Sequence, residues 1–215
     1  MKLMVIGFPK SGTTTIARSL EASGLKAAHW RDRPGPKGRF IGALIYEAIY
    51  EGLDPFAHLS DFDAIAQSDV CWPIQGVSFW PNLDFSVLRA IRRAHPECLF
   101  LLNYRDPGAI CDSIIGWKDL QNRLEMSEVP GLPRGFGGKR EHLMTWIENH
   151  FDACRSYFAS DDRFLEIDIA SEEAPEMLGQ ALGIELLDWG DFKPSDFRQQ
   201  NWSRGGRPDA KRAPT

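Results

Sequence analysis

The strongest constraint on this chain lies near its start, where Leu3-Met4-Val5-Ile6 runs into Gly7-Phe8-Pro9-Lys10-Ser11-Gly12-Thr13-Thr14-Thr15-Ile16-Ala17-Arg18-Ser19-Leu20. The apolar run reads as a short buried strand. A compact turn of Gly, Pro, Lys and Ser follows, and then a hydroxyl-rich opening to an apolar-periodic segment, which reads as a helix start. Strand, tight loop and helix N-terminus together form a seat for an anion. First-turn N–H groups have no partner inside the helix, and the helix dipole favours negative charge there. Gly12 lets the backbone come close to a ligand, Thr13 and Thr14 offer hydroxyls, and Lys10 adds a movable positive charge. A glycine-rich turn also serves plain chain reversal. Lys, Gly and hydroxyls gathered between Pro9 and Thr14 argue for phosphate instead.

The loop departs from the nucleoside-triphosphate pattern G-x-x-x-x-G-K-[ST], in which Lys follows the second Gly. Gly7 and Gly12 keep that spacing, but Thr13 stands in the lysine position and the loop's lysine is Lys10. A standard magnesium-ATP loop is therefore disfavoured. Pro9-Lys10-Ser11-Gly12-Thr13-Thr14 instead resembles the 5′-phosphosulfate loop of the sulfotransferases, typically P-K-S-G-T-T. The resemblance implies that these residues cradle the phosphosulfate of 3′-phosphoadenosine 5′-phosphosulfate (PAPS), with Lys10 beside the bridging oxygen of the scissile bond. A second segment agrees. Cys98 to Tyr104 reads as a buried strand from its continuous apolar character, and Pro107 can open a helix just after it. The resemblance implies that Arg105, at the strand end, and Ser113, in the following helix, bind the 3′-phosphate. The chemistry fits, since Arg presents a planar donor fork and Ser a neutral donor. Taken alone, Arg105 can equally pair with Asp106 or Asp112.

A chain of 215 residues with 43% hydrophobic and 26% charged residues has the length and composition of one soluble α/β domain. Its formal charge of −5 argues against a general nucleic-acid binder. The first apolar run is too short for a signal peptide, and no run reaches spanning length, so a cytoplasmic protein without a membrane partner is expected. Cys71, Cys98, Cys111 and Cys154 form no C-x-x-C pair and read as structural, reduced thiols.

Leu25 to His29 reads as the second strand, ending in His29-Trp30-Arg31-Asp32-Arg33. Ligands of open parallel sheets bind at the carboxyl ends of the strands. His29 and Asp32 are therefore candidates for the general base that takes a proton from an acceptor. The resemblance points the same way, since several sulfotransferase branches place a catalytic carboxylate or His after the second strand. Asp32 can equally form an ion pair with Arg31 or Arg33, and His29 can be a satisfied strand-end histidine. Asp69, ahead of Cys71-Trp72-Pro73, resembles an acidic residue of small sulfotransferase-like proteins, and its role as base, acceptor ligand or helix cap stays open. Trp72, Phe79, Trp80 and Phe85 suit a core better than an acceptor pocket. Arg31, Arg33, Lys37 and Arg39 give a weak hint of an acidic acceptor.

Helices are expected over 83–94, 141–158 and 174–182, and Phe164 to Asp168 reads as the last strand, similar to an L-E-I-D run of the sulfotransferases. The irregular stretch 127–139, rich in Gly and Pro, is either an acceptor lid or a surface loop. The basic tail 201–215 holds Arg204-Gly205, a loose echo of the late R-K-G segment with which cytosolic sulfotransferases close over the 3′-phosphate. A frayed terminus explains it as well. The sum is an expected single domain over 1–215, a parallel β-sheet flanked by helices in a P-loop-like sulfotransferase fold. Its expected activity is transfer of the sulfuryl group of PAPS to a hydroxyl or amine of a small-molecule or glycan acceptor. That releases adenosine 3′,5′-bisphosphate (PAP) and requires no metal. The rival readings are a nucleotide kinase or NTPase with a displaced lysine, and a non-catalytic PAP- or nucleotide-binding protein.

Overall fold

Strand β1 (Leu3–Val5) is apolar at every position because the sheet it belongs to is covered on both faces. In the computed structural model of the chain, which describes residues 1–190, α1 (Thr13–Ala22) follows it. Next come β2 (Ala27–His29), α2 (Ile41–Tyr50), β3 (Ala64–Gln67) and the hairpin β4 (Val70–Trp72) and β5 (Val77–Phe79). The chain continues through α3 (Phe85–Ala94), β6 (Leu99–Tyr104), α4 (Pro107–Ile115) and α5 (Leu120–Met126). It closes with α6 (Arg140–Tyr157), β7 (Phe164–Asp168) and α7 (Ala174–Leu182).

The main sheet has the order β2-β3-β1-β6-β7, and every pair in it is parallel. Alternate strand residues face opposite layers. Met4, Ile6, Ile65, Phe100 and Leu102 pack with α2, α3, α4 and α6, whereas Leu3, Val5, Ala64, Leu99 and Leu101 pack with α1 and α7. The two layers share this sheet, so the described residues form one α/β domain. All five carboxyl ends point to one edge. The chain leaves β1 for β2 and β3 on one side and then crosses to β6 and β7 on the other. That reversal of direction falls beside the β1 loop, the usual ligand position in such sheets.

Several expectations are met, including β1, β6, β7, the long α6, and α7 with its left-handed Gly183 cap (φ 68°). Strand β3 and the β4–β5 hairpin are not among those expectations. The core of β3 is Ala64-Ile65-Ala66, a short run with weak strand propensity beside Asp61, Asp63 and Asp69, and burial between β2 and β1 decides its state. All four cysteines are free and buried. Of the aromatic run, Trp80 packs on Trp146, Phe85 on Phe158 and Phe79 on Tyr46, which leaves Trp72 near the carboxyl edge of the sheet.

Residues 127–139 form a tied connector. Trp146 Nε1 donates to Pro130 O at 2.8 Å, Arg134 Nε to Met126 O at 2.9 Å, Gly135 N to Glu125 O at 2.8 Å and Gln121 Nε2 to Gly138 O at 3.0 Å. A lid motion would have to break these ties. Beyond α7 the chain runs back along α1. Ser19 Oγ donates to Leu187 O (2.6 Å) and Thr15 Oγ1 to Gly190 O (3.2 Å), so Gly190 lies beside the first turn of α1. Arg204 and Gly205 lie outside the described residues. Among the described residues no helix is long and apolar enough to cross a membrane.

Candidate anion site at the carboxyl edge of the sheet

The loop between β1 and α1 is shaped from beneath by buried amides. Asn103, fully buried in β6, accepts from Gly7 N–H at 3.0 Å and donates through Nδ2 to Ser11 O at 2.7 Å and to Ser11 Oγ at 2.5 Å. Asn82 Nδ2 donates to Gly7 O at 2.8 Å. His150 Nε2 lies 2.8 Å from Ile6 O, at the last residue before the loop. A side chain at Gly7 would collide with Asn103, so this approach requires glycine. Phe8 is buried with its ring edge-on to Trp146 (4.7 Å between centroids) and Phe151 (5.6 Å). Ser11 Oγ donates to Phe8 O at 2.5 Å, so its hydroxyl closes the loop internally. Pro9 is also buried. Pro9 and Ser11 can therefore serve a ligand through loop shape and backbone.

Above this base the loop turns sharply. Lys10 has φ 72° and Gly12 φ 80°, both left-handed. A Cβ at Gly12 would also come within 2.7 Å of Ile169 Cδ1, which fixes glycine there. The left-handed state at Lys10 costs on the order of 1–2 kcal/mol. It persists because Arg105 Nη1 donates to the Lys10 carbonyl at 2.6 Å. Gly12 is the N-cap of α1 and supplies no side-chain cap, and the first turn contains no acidic residue. The N-terminus of α4 differs, because Asp106 Oδ1 accepts from Ala109 N–H at 2.8 Å and already fills that position. Asp112 pairs with Arg140 (3.2 Å), so neither carboxylate suggested by the sequence is tied to Arg105. Ser113 is half-buried two turns into α4.

Lys10 and Arg105 thus stand together at an uncapped helix start. Burial, and then the Arg105 charge, lower the Lys10 ammonium from its ordinary 10.5 to about 8. Its Nζ lies 3.3 Å from the centroid of the Trp117 ring. Two neighbouring cations, with no carboxylate among the described residues paired to either, favour an anion.

On the other flank, Thr13 Oγ1 lies 3.4 Å from His29 Nε2 and donates to Gln67 Oε1 at 3.3 Å. Gln67 Nε2 in turn donates to Asp69 Oδ2 at 3.0 Å. A register shift between Ala28 and His29 sets His29 opposite Gln67. Burial, and then the charge of Arg18, push His29 down to about 4, so its ring is neutral at pH 7. Asp69 is only 6% exposed. Burial raises its carboxyl to about 7, against the Gln67 hydrogen bond and its own backbone N–H, which favour the anion.

Asp32 occupies different surroundings. Its carboxylate accepts from Arg39 N–H (2.8 Å) and Arg39 Nε (3.1 Å), with Arg33 Nε at 3.6 Å. Burial alone would raise Asp32, but these partners hold it below the ordinary carboxylate range. It closes the 32–39 loop, and a proton-accepting role would require breaking that closure. Arg31 has a structural place as well. It donates to Gly35 O and Gly38 O, both at 2.9 Å, and its guanidinium lies 4.4 Å from the Phe40 ring and 5.5 Å from the Trp72 ring.

The structure therefore brings Lys10, Thr13, His29 and Arg105 to one edge, adds Gln67 and Asp69, and commits Asp32 elsewhere. Sequence reasoning missed Asn103, Gln67 and Trp117. An amide inside an apolar strand is a signal for the first, and nothing in the sequence marks the other two. Among the described residues no group of three or more His, Cys, Asp or Glu is arranged to hold a metal ion. The chain matches no protein-family model and no curated protein.

Two outcomes follow from this geometry. Asn103→Leu strands the Gly7 N–H and the Ser11 carbonyl and should lower stability by about 2–4 kcal/mol in urea denaturation, with a loss at least as large for Asn103→Asp at neutral pH, which sets a buried carboxylate against the Ser11 carbonyl. The raised Asp69 carboxyl makes the native state hold a proton that the unfolded chain releases, so its stability contribution is full below about pH 4 and is lost as pH rises through about 7. His29 and His150, both lowered to about 4, act in the opposite direction, so the difference between variant and wild type isolates Asp69. Melts from pH 4 to 7 should show Asp69→Asn gaining on wild type as pH rises, and a constant difference would rule out the raised carboxyl.

Proposed function

We propose that this protein is a PAPS-dependent sulfotransferase with a P-loop-like sulfotransferase fold, and that the β1–α1 loop holds the phosphosulfate. The observation that carries the reading is the Lys10–Arg105 pair. Two cations share an uncapped helix start at the switch point of a parallel sheet, and Lys10 is in a left-handed conformation maintained by Arg105. The P-K-S-G-T-T run and the Arg105/Ser113 spacing support the sulfotransferase resemblance in the same residues.

In this reading the acceptor oxygen or nitrogen attacks sulfur in line with the breaking bond to the bridging phosphate oxygen. The acceptor's proton moves to a base, and PAP leaves with the bonding electron pair. Little covalent chemistry falls to the protein, so rate comes from positioning and from charge stabilisation. Lys10 and the α1 amides meet the charge on the leaving oxygen, while Arg105 and Ser113 hold the 3′-phosphate. Asp69 is the preferred base, because a carboxyl near 7 matches proton acceptance at neutral pH better than an imidazole near 4. His29 and Gln67 hold Thr13 and the acceptor side of the loop. The acceptor is a hydroxyl or amine compound of small-molecule or glycan class, and the setting is cytoplasmic.

PAP without magnesium should raise the melting temperature, by roughly 2.7 kcal/mol of stabilisation at 100 times its dissociation constant. Lys10→Ala should weaken that shift and lower kcat/KM about 100-fold or more with any acceptor that turns over. A shift with ATP and magnesium alone would replace the reading with a kinase, and a Lys10→Ala rate within a few-fold of wild type would remove the lysine's role. For the wild type, kcat/KM should rise with pH through about 7 as Asp69 ionises and fall above about 8 as Lys10 loses its proton. A profile flat from 6 to 9 would contradict both assignments.

A further inference from the structure

Lys10 faces a physical conflict. Its surroundings are partly desolvated, and its nearest charged neighbour is Arg105, whose Nη1 holds the Lys10 carbonyl at 2.6 Å. Both influences favour loss of the ammonium proton. Among the described residues no carboxylate lies within ion-pair distance of Lys10 to oppose them. What does face the ammonium is an indole. Lys10 Nζ lies 3.3 Å from the centroid of Trp117, within the range where a ring face attracts a cation. Lys118, next after Trp117 in the chain, keeps its Nζ 5.8 Å from the same ring.

The indole is itself held in place. Trp117 sits in the turn between α4 and α5, half-buried against the larger core layer. Its backbone N–H donates to Ile114 O at 3.2 Å, and its backbone carbonyl accepts from Leu120 N–H at 3.0 Å, which fix the main chain from which the ring projects. Lys118 adopts φ 48°, a left-handed turn that lets the chain fold back into α5 directly after the ring. Helix α4 thus joins two functions. Its entry follows Arg105, and its exit carries the ring against Lys10.

We infer that Trp117 is a positioning residue whose ring face keeps the Lys10 ammonium charged and fixed where the leaving oxygen is to be met. This rests on the reading of Lys10 as the group that stabilises that oxygen. The ring and the burial act oppositely on the lysine, so they can be separated by substitution. Trp117→Leu keeps apolar bulk and removes the π face, and Trp117→Phe keeps a face of weaker quadrupole.

The test is a carbon-13 NMR titration of the lysine Cε resonances in the full chain, with Lys10 assigned by its loss in Lys10→Arg. Wild type should titrate near 8. Trp117→Leu should move the Lys10 midpoint down by about one pH unit, and Trp117→Phe by a few tenths. A merely structural role for the ring would leave all three midpoints alike, and that outcome, or an upward shift in Trp117→Leu, would overturn the inference. Should Trp117→Leu fail to fold, Trp117→Met carries the same expectation and the same refutation. The readout needs neither acceptor nor turnover. Failure of the sulfotransferase reading would appear separately, as a wild-type chain that PAP does not stabilise.

Discussion

The carboxamide of Asn103 is the contact on which the rest of the site depends. A fully buried amide is unfavourable unless its donors and acceptor are matched, and a mismatched one costs more than an apolar replacement. Here the matching groups are the backbone of Gly7 and the carbonyl and hydroxyl of Ser11, at the two ends of the loop. Satisfying the amide therefore fixes the loop's span. Asn82 does the same to the Gly7 carbonyl from the α3 side. With both ends set, the residues between have few conformations left, and the left-handed turn at Lys10 follows. The strain at Lys10 and the buried amide beneath it belong to one device, because Asn103 fixes the loop on either side of Lys10 and Arg105 holds the Lys10 carbonyl between.

The same edge carries charges that no ion pair among the described residues neutralises. Lys10 and Arg105 repel each other, with no carboxylate among the described residues paired to either, while Asp69 is buried beside the neutral amide of Gln67. A chain selected for stability alone would pair such groups or replace them with apolar ones. Surface pairs elsewhere show that it can, since Asp32 is matched with Arg39 and Glu166 with Arg155. Local rules broken in one place and kept elsewhere are the ground on which this edge is proposed as a ligand site. Under the proposed reading these departures are the two sides of one centre, with positive charge at the loop and a proton acceptor in the turn after β3.

How much of this the sequence discloses follows from the range of the interaction concerned. The loop, its helix and the flanking strand are local patterns, and Gly12, Lys10 and Thr13 could be identified from spacing alone. The α6 and α7 boundaries come from periodicity and a glycine cap in the same way. Asn103 lies within an apolar run that reads as a strand, but its partners are more than ninety residues away in sequence, at Gly7 and Ser11. Trp117 is equally non-local to Lys10. A lone tryptophan after a helix has many uses, and only the fold brings it against the ammonium.

The choice between Asp32 and Asp69 shows the limit most directly. Chain order makes β2 the natural neighbour of β1, which places Asp32 close to the loop. Sheet order inserts β3 between them, so β2 lies two strand spacings from β1, about 10 Å, while β3 adjoins it at about 5 Å. The residue that meets Thr13 from the nearer strand is therefore Gln67, at the end of β3, and Asp69 joins through the Gln67 amide. His29 reaches the same hydroxyl from the farther strand because the register shift after Ala28 advances it opposite Gln67. Asp32, beyond that point, turns into the 32–39 loop and finds Arg39. An alanine-rich segment with little strand character of its own thus determines which carboxylate is linked to the loop, through Gln67, and it does so through sheet order, which short sequence patterns do not encode.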